Sequence, residues 1–317
     1  MEQAVHVPVL LGQVLEFLAP RGEAEFMIDA TMGEGGHSYA LLSKYPDLSI
    51  LGIDADGAIQ EVAKRRLEAF SDRVRFYRGR AQDFFAGYPE DGRRPDTILA
   101  DLGVSSYHYL KGNRGFSFAK DEPLDMRIDP SAGVSAAGLL AGMDEKAIAD
   151  LLYGNADERY SRRIAKAIVE GRKRSPITTS FALRDLVVRA VPAAYRRGHL
   201  HPATKTFMAL RVAVNGEIRT LPNLLEEALR HLKPGGRLGV ITFNSKEDRQ
   251  TKGFFRQKSL RCSCPPEVPI CKCGGPTVRL LTRKGLVADD NERRLNPPSR
   301  SARLRVIEKI KDMAPNE

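Results

Sequence analysis

Short apolar runs punctuate this chain, and three of them stop on an acid. Phe26-Met27-Ile28 ends at Asp29, Ile50-Leu51-Gly52-Ile53 at Asp54, and Asp96-Thr97-Ile98-Leu99-Ala100 at Asp101. A fourth, Arg237 to Phe243, follows the turn Lys233-Pro234-Gly235-Gly236. Continuous apolar runs of this length, bounded by turn residues, predict strands covered on both faces. Between them the spacing becomes helical, over Tyr39–Tyr45, Ala58–Phe70, a short segment with Phe84 and Phe85, and Leu221–Leu232. Val74–Tyr77 predicts a shorter strand, and Thr277–Thr282 with Leu304–Ile310 an antiparallel edge pair. Strand and helix in alternation predict an α/β fold with a mainly parallel, Rossmann-like sheet.

One interval breaks the rhythm. Asp101 and Arg237 are 136 positions apart, whereas a crossover connection needs only about a dozen residues or somewhat more. Residues 105–205 are therefore expected to form an inserted domain, with 1–104 and 206–317 making one discontinuous α/β domain. The insertion carries helical patterns over Ala136–Leu152, Ser161–Gly171 and Phe181–Ala190, with almost no strand signal. Its expected place is the carboxyl edge of the sheet, where open α/β folds bind ligands. There it would act in substrate recognition.

The first crossover holds the densest chemistry: Asp29-Ala30-Thr31-Met32-Gly33-Glu34-Gly35-Gly36-His37-Ser38. Glycines admit positive φ and close approach of a ligand. A helix start offers free N–H groups to an anion, and Asp54 stands where a ribose diol needs an acceptor. A dinucleotide fingerprint wants a third glycine, and Ser38 occupies that position. Asp29 suits S-adenosylmethionine better, since a carboxylate there can meet the cofactor's cationic methionine end. A tight turn of any parallel α/β protein is the plain alternative.

Charge then narrows the partners. Lys and Arg number 50 against 40 acids, a net charge of +10 and a pI of about 9.5. Such an excess suits a polyanion, and Arg162-Arg163, Arg172-Lys173-Arg174 and Arg196-Arg197 concentrate it in the insertion. No apolar run reaches the length of a membrane span and no signal peptide opens the chain, so a cytoplasmic location without a membrane partner is expected. Cys262, Cys264, Cys271 and Cys273 cluster, but their C-x-C spacing departs from the C-x-x-C of zinc knuckles. A reduced loop is the alternative, and no metal is assigned.

Several segments in order resemble the MraW family of bacterial small-subunit rRNA methyltransferases (methyltransferase H) across nearly the whole chain. They are His6-Val7-Pro8-Val9-Leu10-Leu11, Met32 to Ser38, Asp101-Leu102-Gly103-Val104-Ser105-Ser106, Arg114-Gly115-Phe116-Ser117-Phe118 and Pro123-Leu124-Asp125-Met126-Arg127. His201-Pro202-Ala203-Thr204-Lys205-Thr206-Phe207 and Asn296-Pro297-Pro298-Ser299-Arg300-Ser301 complete the set. The resemblance implies a class I S-adenosylmethionine methyltransferase with a seven-stranded sheet. It also implies transfer to the exocyclic N4 of a cytidine in the decoding region of 16S rRNA, within the small ribosomal subunit. By the same resemblance Gly35, Gly36, His37, Asp54 and Asp101 contact the cofactor, the family's aromatic position falls near Phe84, and its glutamine corresponds to His108. Departures occur at Thr242-Phe243-Asn244-Ser245-Lys246-Glu247-Asp248-Arg249, where the family has Ser-Phe-His-Ser-Leu-Glu-Asp-Arg, and at Met208, where it has glutamine.

A cytosine amino group is a poor nucleophile, because its lone pair is delocalised into the ring. A hydrogen-bond acceptor at that group favours the tetrahedral nitrogen of the transition state. Asp101 is the first candidate acceptor, with orienting the cofactor or capping the following turn as its alternative, and Asn244, through its carboxamide oxygen, the second; capping of the following helix is the alternative for Asn244. Arg114, Lys205, Arg211 and Arg249 are the candidate phosphate contacts. Phe116 and Phe118 could stack on a base or pack in a core. Three other functions stay open: methylation of another RNA or DNA base, a cofactor-binding RNA assembly factor without turnover, and a nicotinamide dehydrogenase. A homodimer is compatible with the sequence.

Overall fold

The computed structural model describes residues 7–89, 92–110, 112–262 and 275–313. Within them a seven-stranded sheet forms from β1 (Phe26–Asp29), β2 (Ser49–Asp54), β3 (Val74–Arg78), β4 (Thr97–Asp101), β5 (Arg237–Thr242), β6 (Val278–Leu280) and β7 (Arg303–Lys309). Its order is β3-β2-β1-β4-β5-β7-β6. The first five strands pair in parallel, and β7 runs antiparallel to both β5 and β6. The chain reverses its direction of winding between β1 and β4, so the topological switch point lies at their carboxyl ends. Asp29, Asp54 and Asp101 each close one of the strands around it.

Alternation explains why these runs are strands. Met27, Leu99, Ile241 and Leu304 face one buried cluster, while Ile28, Ile98, Val240 and Ile307 face another. Two apolar faces need cover on both sides, which the flanking helices provide. Helix Glu217–His231 buries Leu221, Leu224, Leu225, Ala228 and Leu229, the one-sided stripe expected at a period of 3.6.

The described chain divides into two compact units, Met1–Gly103 with Thr220–Glu317, and Val104–Arg219. The second unit is largely helical, with Ala136–Gly142, Glu145–Ala156, Ser161–Arg172, Ser180–Ala190 and Thr204–Asn215 around its own core. It extends past the expected boundary at 205, because Thr204–Asn215 contributes Phe207, Ala209 and Leu210 to that core. The pattern expected as one helix over 136–152 is two. Asp144 interrupts it, accepting the Ala147 N–H at 2.7 Å as the N-cap of a new helix.

Candidate active site

The glycine turn after β1 starts a nine-residue helix, Gly36–Lys44, with Gly35 as its N-cap at φ 74°. Most residues are strained there, and a Cβ on Gly35 would also press on Leu67 Cδ1 at 3.1 Å. On Gly36 it would meet Pro8 Cγ at 3.1 Å, so the opening segment of the chain packs over this helix start. That segment is itself tied down. Leu10 N–H donates to Glu292 at 2.7 Å, and Asn296 Nδ2 donates to the Val7 carbonyl at 2.9 Å.

Asp54 accepts the Gly33 N–H at 2.9 Å and the Asp56 N–H at 2.8 Å, one on each carboxylate oxygen. A carboxylate oxygen can accept more than one hydrogen bond, the capacity a ribose diol would draw on. Asp29 is buried, with Ser38 Oγ donating to it at 2.6 Å. Burial pushes its pKa up to about 6; the Ser38 and Thr31 hydrogen bonds oppose this, and Asp54 adds to it. A carboxyl so reluctant to ionise favours a cationic neighbour, which fits the methionine end of the cofactor.

His37 is buried and its Nε2 lies 2.9 Å from the Val9 carbonyl. A carbonyl can only accept, so Nε2 carries the proton and donates. Its Nδ1 faces Asp101 Oδ2 at 3.7 Å. Of the two ring nitrogens that could meet the cofactor at His37, Nε2 is taken up by this bond to the chain's own opening segment.

Asp101 ends β4 with its backbone N–H on Thr31 Oγ1 at 2.6 Å. Its Oδ1 is buried without a hydrogen-bond partner among the described residues. Burial, then Asp29, then Glu247 hold its carboxyl well above the usual range. An acceptor left unsatisfied at this depth is costly unless a ligand completes it.

Asn244 takes the capping alternative. Its Oδ1 accepts the Lys246 and Glu247 N–H groups, each at 3.0 Å, while Glu247 Oε2 accepts the Asn244 N–H at 3.3 Å and the Phe243 N–H at 2.9 Å. This reciprocal capping box starts helix Ser245–Lys258 and consumes the oxygen expected to face a substrate. What stays unpartnered among the described residues is Asn244 Nδ2, a buried donor. The adjoining strands β4 and β5 therefore present an orphaned acceptor at the end of the first and an orphaned donor just past the end of the second.

The other expected residues fall elsewhere. Phe84 packs among Tyr77, Phe85 and Tyr88, with ring centroids 4.8, 5.5 and 5.3 Å away. His108 lies in the helical unit, buried against Phe116 at 4.9 Å. Phe116 is core, and Phe118 stacks on His201 at 4.6 Å. Arg114 donates to the Arg127 and Ile128 carbonyls at 3.0 and 2.8 Å. Arg211 is a bidentate partner of Glu217, at 3.0 and 2.9 Å, and also donates to Tyr109 Oη. These two guanidiniums fasten the helical unit, so the expected phosphate role does not fit Arg211, whose charge is met by a nearly buried carboxylate. Lys205 donates to the Asp157 carbonyl at 3.0 Å. Arg249 is exposed on helix Ser245–Lys258. Of the cysteines only Cys262 is described, and it is exposed; Cys264, Cys271 and Cys273 lie outside the described residues. Ser38, Thr31 and Glu247 were missed as site residues; the spacing Asn244-x-x-Glu247 is the sequence signal for the last.

A seven-stranded sheet with antiparallel β7, a glycine turn at the switch point and an acid ending each of three neighbouring strands define a class I S-adenosyl-L-methionine-dependent methyltransferase. The residues fit that cofactor: Asp29 and Asp54 are carboxylates that would suit its cationic end and its ribose diol. The chain belongs to the MraW methylase family, whose profile matches residues 3–310. It is 52% identical over 309 residues to the Ribosomal RNA small subunit methyltransferase H of Treponema denticola, covering 97% of this chain and 98% of that one. The proteins of the same name from Heliobacterium modesticaldum and Treponema pallidum are 44% and 42% identical. They cover 96% of this chain in both cases, and 99% and 92% of their own. No helix among the described residues is long and apolar enough to cross a membrane.

Proposed function

We propose that this enzyme methylates ribosomal RNA of the small subunit, at the exocyclic N4 of a cytidine. The observation that carries the reading is the orphaned pair, Asp101 Oδ1 as acceptor and Asn244 Nδ2 as donor, on adjoining strand ends. A cytosine turned out of its stack presents the complement, an N4 amino group beside ring acceptors. Adenine offers a similar edge, so mapping of the product decides the base. The relatives' shared name supports the RNA, and the net charge of +10 suits it.

S-adenosyl-L-methionine supplies the methyl group when bound. Asp101 accepts an N4 hydrogen, concentrates the nitrogen lone pair and takes the proton that nitrogen sheds once alkylated. Its raised proton affinity suits that task. Asn244 Nδ2 steadies the ring through N3 or O2. Gly35, Gly36, His37, Asp29 and Asp54 hold the donor side.

The test is methyl transfer by the purified protein to small subunits from a strain lacking its gene, with mass-spectrometric mapping of the rRNA. One added methyl on one cytidine is expected. Asp101→Asn should slow transfer by about 10²- to 10⁴-fold while still binding S-adenosylhomocysteine. A methyl on another base, on DNA alone, or tight RNA binding without transfer would overturn the reading.

A further inference from the structure

We propose that a basic groove between helix Ser245–Lys258 and the start of β7 binds the phosphodiester backbone flanking the target nucleotide; this rests on the rRNA reading above. One wall is the helix face carrying Ser245, Arg249 and Lys252, positions four and seven residues on from the first and therefore neighbours on one side. The other wall is the turn Arg283-Lys284-Gly285, pinned to β7 by mutual backbone hydrogen bonds between Leu286 and Leu304, both 2.9 Å. Arg303 and Arg305 flank Leu304 and share the opposite face of the strand, which makes the floor.

Among the described residues most of this charge is uncompensated. The acid in the groove, Asp248, is held by Arg305 at 2.7 and 3.1 Å. Arg249, Lys252, Arg283, Lys284 and Arg303 are exposed, and none has a carboxylate within salt-bridge distance among the described residues. Five cations without a counterion repel one another unless a polyanion lies among them. Ser245 to Lys252 alone spans roughly 10 Å of helix, too long for a single phosphate and suited to successive ones.

Register fixes where the groove lies. Asp101 pairs with Ile241, and Ile241 with Leu304. The basic floor is thus two strand spacings, roughly 10 Å, from the proposed acceptor along the same edge of the sheet. A backbone lying in the groove can deliver a splayed base to Asp101 and Asn244.

The experiment measures binding of a small-subunit rRNA fragment by fluorescence anisotropy across a potassium chloride series. It compares the wild type, the triple variant Lys252→Gln/Arg283→Gln/Lys284→Gln, and a charge-matched control, Lys64→Gln/Lys146→Gln/Lys166→Gln. The groove variant should bind at least about tenfold more weakly at low salt, with the slope of log K against log salt reduced by roughly two. Its affinity for S-adenosylhomocysteine should be unchanged, which reports an intact fold. Equal slopes for groove variant and control overturn the groove, even where the wild type still methylates rRNA. A wild type that transfers no methyl to rRNA removes the underlying reading and this proposal together.

Discussion

At the scale of single residues, the site is a set of polar atoms placed where water cannot serve them. Asp29 is the sharpest case, because its carboxyl titrates at about 6 in the folded chain against 3.8 as an ordinary side chain. Below about pH 4 it is neutral in both states and contributes nothing to the pH dependence. From about 4 to 6 the unfolded chain sheds its proton while the folded chain retains it, so stability falls as pH rises. Above about 6 the penalty is complete, at about 3 kcal/mol. Asp29→Asn keeps the Ser38 contact and lacks the titration. In urea denaturation of the free protein, the variant should therefore gain up to about 3 kcal/mol on the wild type between pH 4 and 7, and run parallel above. Identical pH profiles would show that Asp29 does not titrate as its burial requires. Cofactor affinity should move the opposite way. The cationic methionine end prefers the carboxylate, so wild-type affinity should climb from pH 5 to 7 while that of Asp29→Asn stays flat.

At the scale of elements, Asn244 serves two purposes with its two ends, and substitution can separate them. Its oxygen caps helix Ser245–Lys258 and its nitrogen is left over. Asn244→Asp keeps a capping oxygen and deletes the donor; Asn244→Ala deletes both. Thermal or urea unfolding should show the alanine variant destabilised by about 1 kcal/mol and the aspartate variant nearly unchanged. Both should lose methyl transfer. If only the alanine variant is slowed, the residue is a cap and nothing more. Much of this level could be read from the chain. The apolar runs ending at Asp29, Asp54 and Asp101 are β1, β2 and β4, because a buried parallel strand has no solvent face to blur its pattern. Helix ends were less legible. Asp144 splits an apolar stripe that periodicity alone would run through, since a cap is one residue's hydrogen bond and leaves the hydrophobic pattern intact. Long-range polar contacts were least legible. Arg211 reads as one more cation until Glu217 and Tyr109 are seen around it, and the groove joins positions 249, 283 and 303 only through pairing of β5 with β7 and the bridge from Leu286 to Leu304.

At the scale of the whole molecule, the insertion is a unit in its own right. Val104–Arg219 gathers Leu140, Ile148, Leu152, Ile164, Ile168, Leu183, Val187 and Leu210 into one buried cluster. Polar ties within the unit then fix its long connections. Asn215 Nδ2 donates to the Met126 carbonyl at 2.8 Å and its Oδ1 accepts the Ile128 N–H at 2.9 Å, and Arg114 holds the same stretch of loop through Arg127 and Ile128. Buried Glu158 receives Tyr195 Oη at 2.8 Å; burial and this carboxylate push the phenol up to about 12, so the contact persists across the physiological range. A segment this long with its own core and its own polar clamps is large enough to fold alone. The isolated segment 104–219 should therefore give a helical circular dichroism spectrum and a single cooperative thermal transition. Leu152→Ala, which hollows that core, should destabilise the segment by about 2–5 kcal/mol and lower the same transition in the full chain. The segment lacks the glycine turn and the switch-point acids, so calorimetry should detect no S-adenosylhomocysteine binding to it. A broad, non-cooperative melt of the segment would mean that the α/β unit must fold first and template the insertion, and the chain would then be one folding unit.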